Sequence, residues 1–71
     1  MNDVEYDRTI KKLGSLRERL RRLEEDDYVT ASYKGYSSDG LTLNEILEAI
    51  QSVNKSIELA ENKLADEPKQ Y

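Results

Sequence analysis

The chain contains no cysteine, histidine, tryptophan or phenylalanine, and only one proline, three glycines and one methionine in 71 residues. Each absence removes a class of explanation. Without Cys there is no disulfide framework and no thiolate metal site; without His there is no imidazole ligand and no imidazole base. The apolar runs span only a few residues, far short of the roughly 20 that a membrane-spanning helix requires. The opening MNDVEYDR is acidic and polar, which is the wrong start for a secretory signal. A chain of this size rarely draws more than ~3–5 kcal/mol from a single core. With disulfides and thiolate or imidazole metal sites excluded, self-association or a partner is the expected supplement.

What the chain has is charge, at 37% of residues with a net of −4, and aliphatic residues at helical spacing. Asn2 is a good helix N-cap, with Glu5 three residues on to complete a capping box. From there Tyr6, Ile10, Leu13, Leu16, Leu20 and Leu23 recur at steps of three and four, which predicts one apolar stripe on a helix running to about Glu25. Gly14 interrupts it and implies a close helix crossing or nothing at all. A second helix is announced by a Thr42–Glu45 capping box and a Leu41–Ile46 hydrophobic staple. Its stripe is Leu43, Ile46, Leu47, Ile50, Val53, Ile57, Ala60 and Leu64, and Pro68 stops it.

The resulting expectation is a mainly α fold with an α+β element. It is an antiparallel helical hairpin over residues 1–65, two long amphipathic helices joined by a short β-hairpin or loop. The β-hairpin rests on YVTASYKGYSSD, residues 28–39, where Val29, Ala31 and Tyr33 alternate with polar neighbours and Lys34-Gly35 supplies a turn. An irregular loop is the alternative. Residues 66–71, DEPKQY, carry no apolar stripe and are expected to form a flexible tail whose Tyr71 contacts a neighbouring copy or a partner.

Four chemical readings compete. Arg8, Lys11, Lys12, Arg17, Arg19, Arg21 and Arg22 crowd the first helix, which suggests nucleic-acid binding by a basic helix. They are spread over several faces, however, and the second helix offers Glu45, Glu48, Glu58 and Glu61 as counter-charges, so protein contacts are the better reading. Arg19, Arg21 and Arg22 are the cations expected to meet acids on an adjacent copy or partner. The run Glu24-Glu25-Asp26-Asp27 has no turn residues that would let four carboxylates converge on one ion, so no metal and no cofactor are expected. Two helices and a short connection can hardly enclose a pocket of the usual ~300 Å³ or more, so no enzyme is expected. Tyr28, Tyr33 and Tyr36 cluster in the connection, and tyrosine suits an interface because it joins a large area to a polar tip.

The Leu-rich first helix, the turn-containing ASYKGYS, the opening LTLNEILEAIQSV and the polar tail together resemble the phage head-to-tail joining proteins of the gpW-like group. The resemblance implies a structural, non-enzymatic virion protein of the phage neck, assembled in the host cytoplasm. Copies would form a ring beneath the portal protein and dock the next neck or tail protein. The rival expectations are a generic helical-hairpin adaptor and a small DNA-binding regulator.

Overall fold

The structure is a computed structural model and describes residues 2–65. Expectations about 66–71, including Tyr71, lie outside the described residues. Among the described residues three α-helices appear in order: α1 (Asp3–Arg22), α2 (Tyr28–Lys34) and α3 (Leu43–Ala65). A π-helical turn, Leu23–Asp27, joins α1 to α2 without a break, so the first arm is one helical rod from residue 3 to 34. The molecule measures 53 × 15 × 14 Å. The arms are antiparallel: Leu23 packs with Ile46 in one cluster while Arg17, earlier in the first arm, reaches Glu61, later in the second.

The central β-hairpin is corrected by the structure. Tyr28–Lys34 is helix, and among the described residues the only β pairing is one isolated bridge, Tyr36 to Thr42. The physical reason lies upstream. Starting a helix is costly and extending one is cheap, so a segment that follows a formed helix inherits its nucleus. A lone two-stranded hairpin, by contrast, is marginal in water. The Ser32 hydroxyl donates to the Tyr28 carbonyl at 2.8 Å, a bond available only in the helical turn. Gly35 then ends the helix in the left-handed region, φ 93°, with its N–H on the Ala31 carbonyl at 2.8 Å. The glycine expected in a strand turn is a helix stop.

The π turn decides which residues of α2 face inward. The Tyr28 N–H bonds the Leu23 carbonyl, five residues back, so this turn holds one extra residue. In a continuous α-helix the core position after Leu23 would be Thr30, two turns on. With the insertion it is Ala31, which is buried, and Thr30 is left half-exposed. The core is therefore Leu23, Ala31, Ile46 and Val53, with Leu16, Leu20, Leu41, Leu43, Ala49, Ile50 and Ile57 packed around it.

Both α-helical ends that matter for register are capped as their residues dictate. The Asn2 side chain accepts from the Glu5 N–H at 2.8 Å, one of the two bonds of the expected box. At α3 both bonds form: the Thr42 N–H donates to Glu45 Oε1 at 3.0 Å, and the Glu45 N–H to Thr42 Oγ1 at 3.2 Å. Leu41 lies half-buried against the cluster that contains Ile46, as the staple requires. Gly14 marks no close crossing, because a Cβ there would meet nothing within 4 Å.

Candidate protein-interaction surface

Tyr71 apart, the expected site residues fall in two regions, one on α1 and one on α2 and the connection just past it. Arg19, Arg21 and Arg22 lie in the last turn of α1, Tyr28 and Tyr33 on α2, and Tyr36 just past the Gly35 stop. The π turn separates the two groups, so the cations precede the acidic run Glu24–Asp27 and the tyrosines follow it.

The cations are not equivalent. Arg21 forks onto two carboxylates of its own arm: its Nε and Nη2 donate to Glu18, and its Nη1 donates to Glu25 Oε2 at 2.9 Å. Those bonds hold the Glu18 carboxyl below the usual carboxylate range and push the Arg21 guanidinium up, with the Arg21–Glu18 hydrogen bond the largest cause in each case. Arg17 crosses to α3 and donates to Glu61 Oε2 at 2.7 Å. One acid of the second arm, Glu61, thus meets Arg17 within the same chain. Of the three cations expected to reach a neighbour, Arg21 is engaged locally, and Glu25 of the acidic run is engaged with it. All three ion pairs are about half exposed, and pairs of that kind contribute little to stability individually.

The acidic run also has a simpler physical account than its sequence implies. Four acids at the C-terminal end of a helix would oppose the helix dipole. Because the helix continues through the π turn into α2, these acids sit in mid-rod, and the objection disappears.

The tyrosine region is where apolar surface is left bare. Val29 is 59% exposed, Tyr33 89% and Tyr36 58%, while Tyr28 is 39% exposed. Tyr28, Val29, Thr30, Ser32, Tyr33 and Lys34 form an open surface on α2, with no second element among the described residues walling it. Near the start of α1, Tyr6 and Ile10 are bare on one face, and Val4 is bare on the other side of the helix. A further open depression, about 680 Å³, runs from Lys11 and Gly14 past Arg19 and Arg22 to Asp39 and Leu41. It is bordered by charges of both signs.

Two residues that organise the region were missed by sequence reasoning. Ser37 is buried, and its hydroxyl accepts from the N–H groups of Asp39 (3.3 Å) and Leu41 (3.2 Å). Its own N–H donates to the Leu41 carbonyl at 2.8 Å, and its carbonyl accepts from Gly40 at 2.9 Å. Four bonds make Ser37 the centre of the connection; the signal was the Ser-Ser-Asp-Gly turn, a pattern in which hydroxyls bond the backbone ahead. Thr9 is also buried, with its hydroxyl on the Glu5 carbonyl at 2.8 Å, where the stripe pointed to Ile10.

No protein-family model matches this chain, and no curated protein or solved structure proved similar to it.

Proposed function

We propose that the chain is a non-enzymatic structural module that works as an assembly of copies, using the helical hairpin as a stiff arm and its bare apolar surface as contacts. The observation that carries this is the balance of apolar side chains. Among the described residues only Leu13, Leu23, Ala31, Ile46, Val53 and Ala60 are buried apolar groups, and two of these are alanines. Nine larger ones are between 39% and 89% exposed. Single exposed apolar residues are ordinary, but four of these nine, Tyr28, Val29, Tyr33 and Tyr36, lie on or just past the seven-residue α2, and grouped apolar surface is what contacts cover. The engagement of Arg17 and Arg21 by carboxylates of the same chain supports protein over nucleic acid as the partner, because it leaves fewer cations to face phosphates.

A ring-forming connector of the phage neck, docked beneath a portal protein, is the narrower form of this reading. The order helix, polar connection and Leu-Thr-capped helix supports it. The helical Tyr28–Lys34, where a strand turn was expected, favours the general module over the narrower form.

Sedimentation equilibrium of the chain without nucleic acid, across roughly 10 μM to 1 mM, tests the reading in the affinity range of weak assemblies. Mass that rises with concentration is expected. A monomer throughout, combined with salt-sensitive duplex binding, would replace it with the DNA-binding alternative.

A further inference from the structure

We propose that the exposed face of α2 is a self-association surface, on which two copies meet antiparallel about a two-fold axis with Val29 and Tyr33 of each against those of the other. This names the contact within the assembly reading above and rests on it.

Three observations favour a second copy as the occupant. The first is exposure. Val29 and Tyr33, four residues apart, share one face of α2 and are 59% and 89% exposed. The Ser32 hydroxyl beside them is already committed to the Tyr28 carbonyl, so it needs no partner across the contact. The second is charge. Tyr28–Ser38 carries a single charge, Lys34, in a chain where 37% of residues are charged and the net is −4. A two-fold contact sets a patch against itself, so a charged patch would meet its own sign, whereas this one holds no acid. Low charge with aromatic side chains is also the composition of interface centres.

The third observation concerns the one charge that remains. In an antiparallel pair centred on Ala31, Lys34 of one copy lies over Tyr28 of the other, and its long side chain has to span only the one or two residues, about 1.5–3 Å of helix rise, that precede Tyr28. Those residues are Asp26 and Asp27, and Asp26 is exposed. Two-fold symmetry makes the match reciprocal, giving two Lys–Asp pairs flanking an apolar centre. The π turn contributes by rotating α2 so that Ala31, in place of Thr30, faces the core, with Val29 and Tyr33 left exposed. A seven-residue helix offers little area, so the contact belongs to the weak class, with a dissociation constant between roughly 10 μM and 1 mM.

The test is sedimentation equilibrium of the full chain and four variants, with circular dichroism to confirm helicity. The wild type is expected to approach a limiting mass of two chains. Val29→Glu with Tyr33→Glu should abolish association with helicity unchanged, since both side chains are exposed. Lys34→Glu alone and Asp26→Lys alone should each weaken association about tenfold or more, and at higher salt the difference should shrink. Lys34→Glu combined with Asp26→Lys in one chain should restore it to near the wild-type value. Association that survives the Val29/Tyr33 change removes this surface but leaves the assembly reading standing. A combined charge variant no better than either single one removes the antiparallel arrangement. A wild type that stays monomeric removes both this inference and the reading it rests on.

Discussion

At the closed end of the hairpin Leu23, Ala31, Ile46 and Val53 pack into one cluster beneath a hydrogen-bonded connection, whereas at the open end the helices bury Thr9 and Ala60 and leave Tyr6 and Ile10 nearly half exposed. The same two arms make both ends. The difference comes from side-chain size along the second arm, where the buried positions Ile46, Val53 and Ala60, spaced by seven, shrink towards the open end. Small residues let backbones approach but bury little area, so the closed end carries more of the hydrophobic stabilisation. Local opening should therefore begin at Val4–Ile10 and reach the Leu23–Ile46 region last.

The largest contrast should come from matched truncations at the two ends. Ile46 is fully buried, so Ile46→Ala should cost ~2–5 kcal/mol, enough to unfold much of a domain this small. Ile10→Ala, at a 44% exposed position, should stay within about 0.5 kcal/mol of wild type. Leu20, only half-buried, should fall between them. Chemical denaturation of the three variants measures this directly. Equal costs for Ile46→Ala and Ile10→Ala would mean that the ends are packed alike.

Next in size is the connection. Ser37→Ala deprives the N–H groups of Asp39 and Leu41 of a buried acceptor, which should cost about 1–2 kcal/mol. Thr42→Ala removes the acceptor for the Glu45 N–H and should cost about 1 kcal/mol. A denaturation midpoint unmoved by Ser37→Ala would show that water satisfies those donors as well as the hydroxyl does.

These residues also show how much the sequence could disclose. The entry to α3 was legible in full, because a capping box and a staple are local devices whose partners lie within five residues. The antiparallel arms were legible from the two stripes. Three features were not. The helical state of Tyr28–Lys34 depends on an upstream helix that lends it a nucleus, which a local alternation pattern cannot register. The π turn shifts the inward face by one residue and has no composition of its own, so Ala31 looked like a strand position. At the open end a choice between Thr9 and Ile10 depends on where α3 crosses, and hydrophobicity alone selects the wrong one. For the interaction surface, the tyrosines were legible as a cluster, but their separation from the arginines by the π turn was not.

A smaller effect of opposite sign is expected midway along α1. Gly14→Ala adds a methyl group where nothing lies within 4 Å, in a helix interior where glycine is unfavourable. The variant should gain about 0.5–1 kcal/mol. It should also slow hydrogen exchange at the open end more than at the closed end, which is already anchored by the core. A loss of stability instead would reveal that a second arm or a second copy approaches the helix at Gly14.

The finest distinction between the ends is electrostatic. Glu45, at the entry to α3, is held below the usual carboxylate value of 4.5 by hydrogen bonds from Thr42, the backbone N–H being the main donor. A carboxyl whose folded pKa is depressed binds its proton more readily in the unfolded chain. Its contribution is therefore present above the unfolded value and is lost as pH falls through the folded one. Acidification from pH 6 to below 4.5 should thus lower the thermal midpoint, with Glu18, held down by Arg21, acting in the same direction. Glu45→Gln isolates the first contribution, because glutamine keeps an oxygen that can accept from Thr42 but has no proton to gain. The variant should begin slightly less stable at pH 6, where it lacks a negative charge at a helix N-terminus, and should lose less on acidification. The two curves should converge below pH 4.5. Parallel curves across the whole range would mean that the Thr42–Glu45 bonds do not distinguish the charged carboxylate from its neutral form.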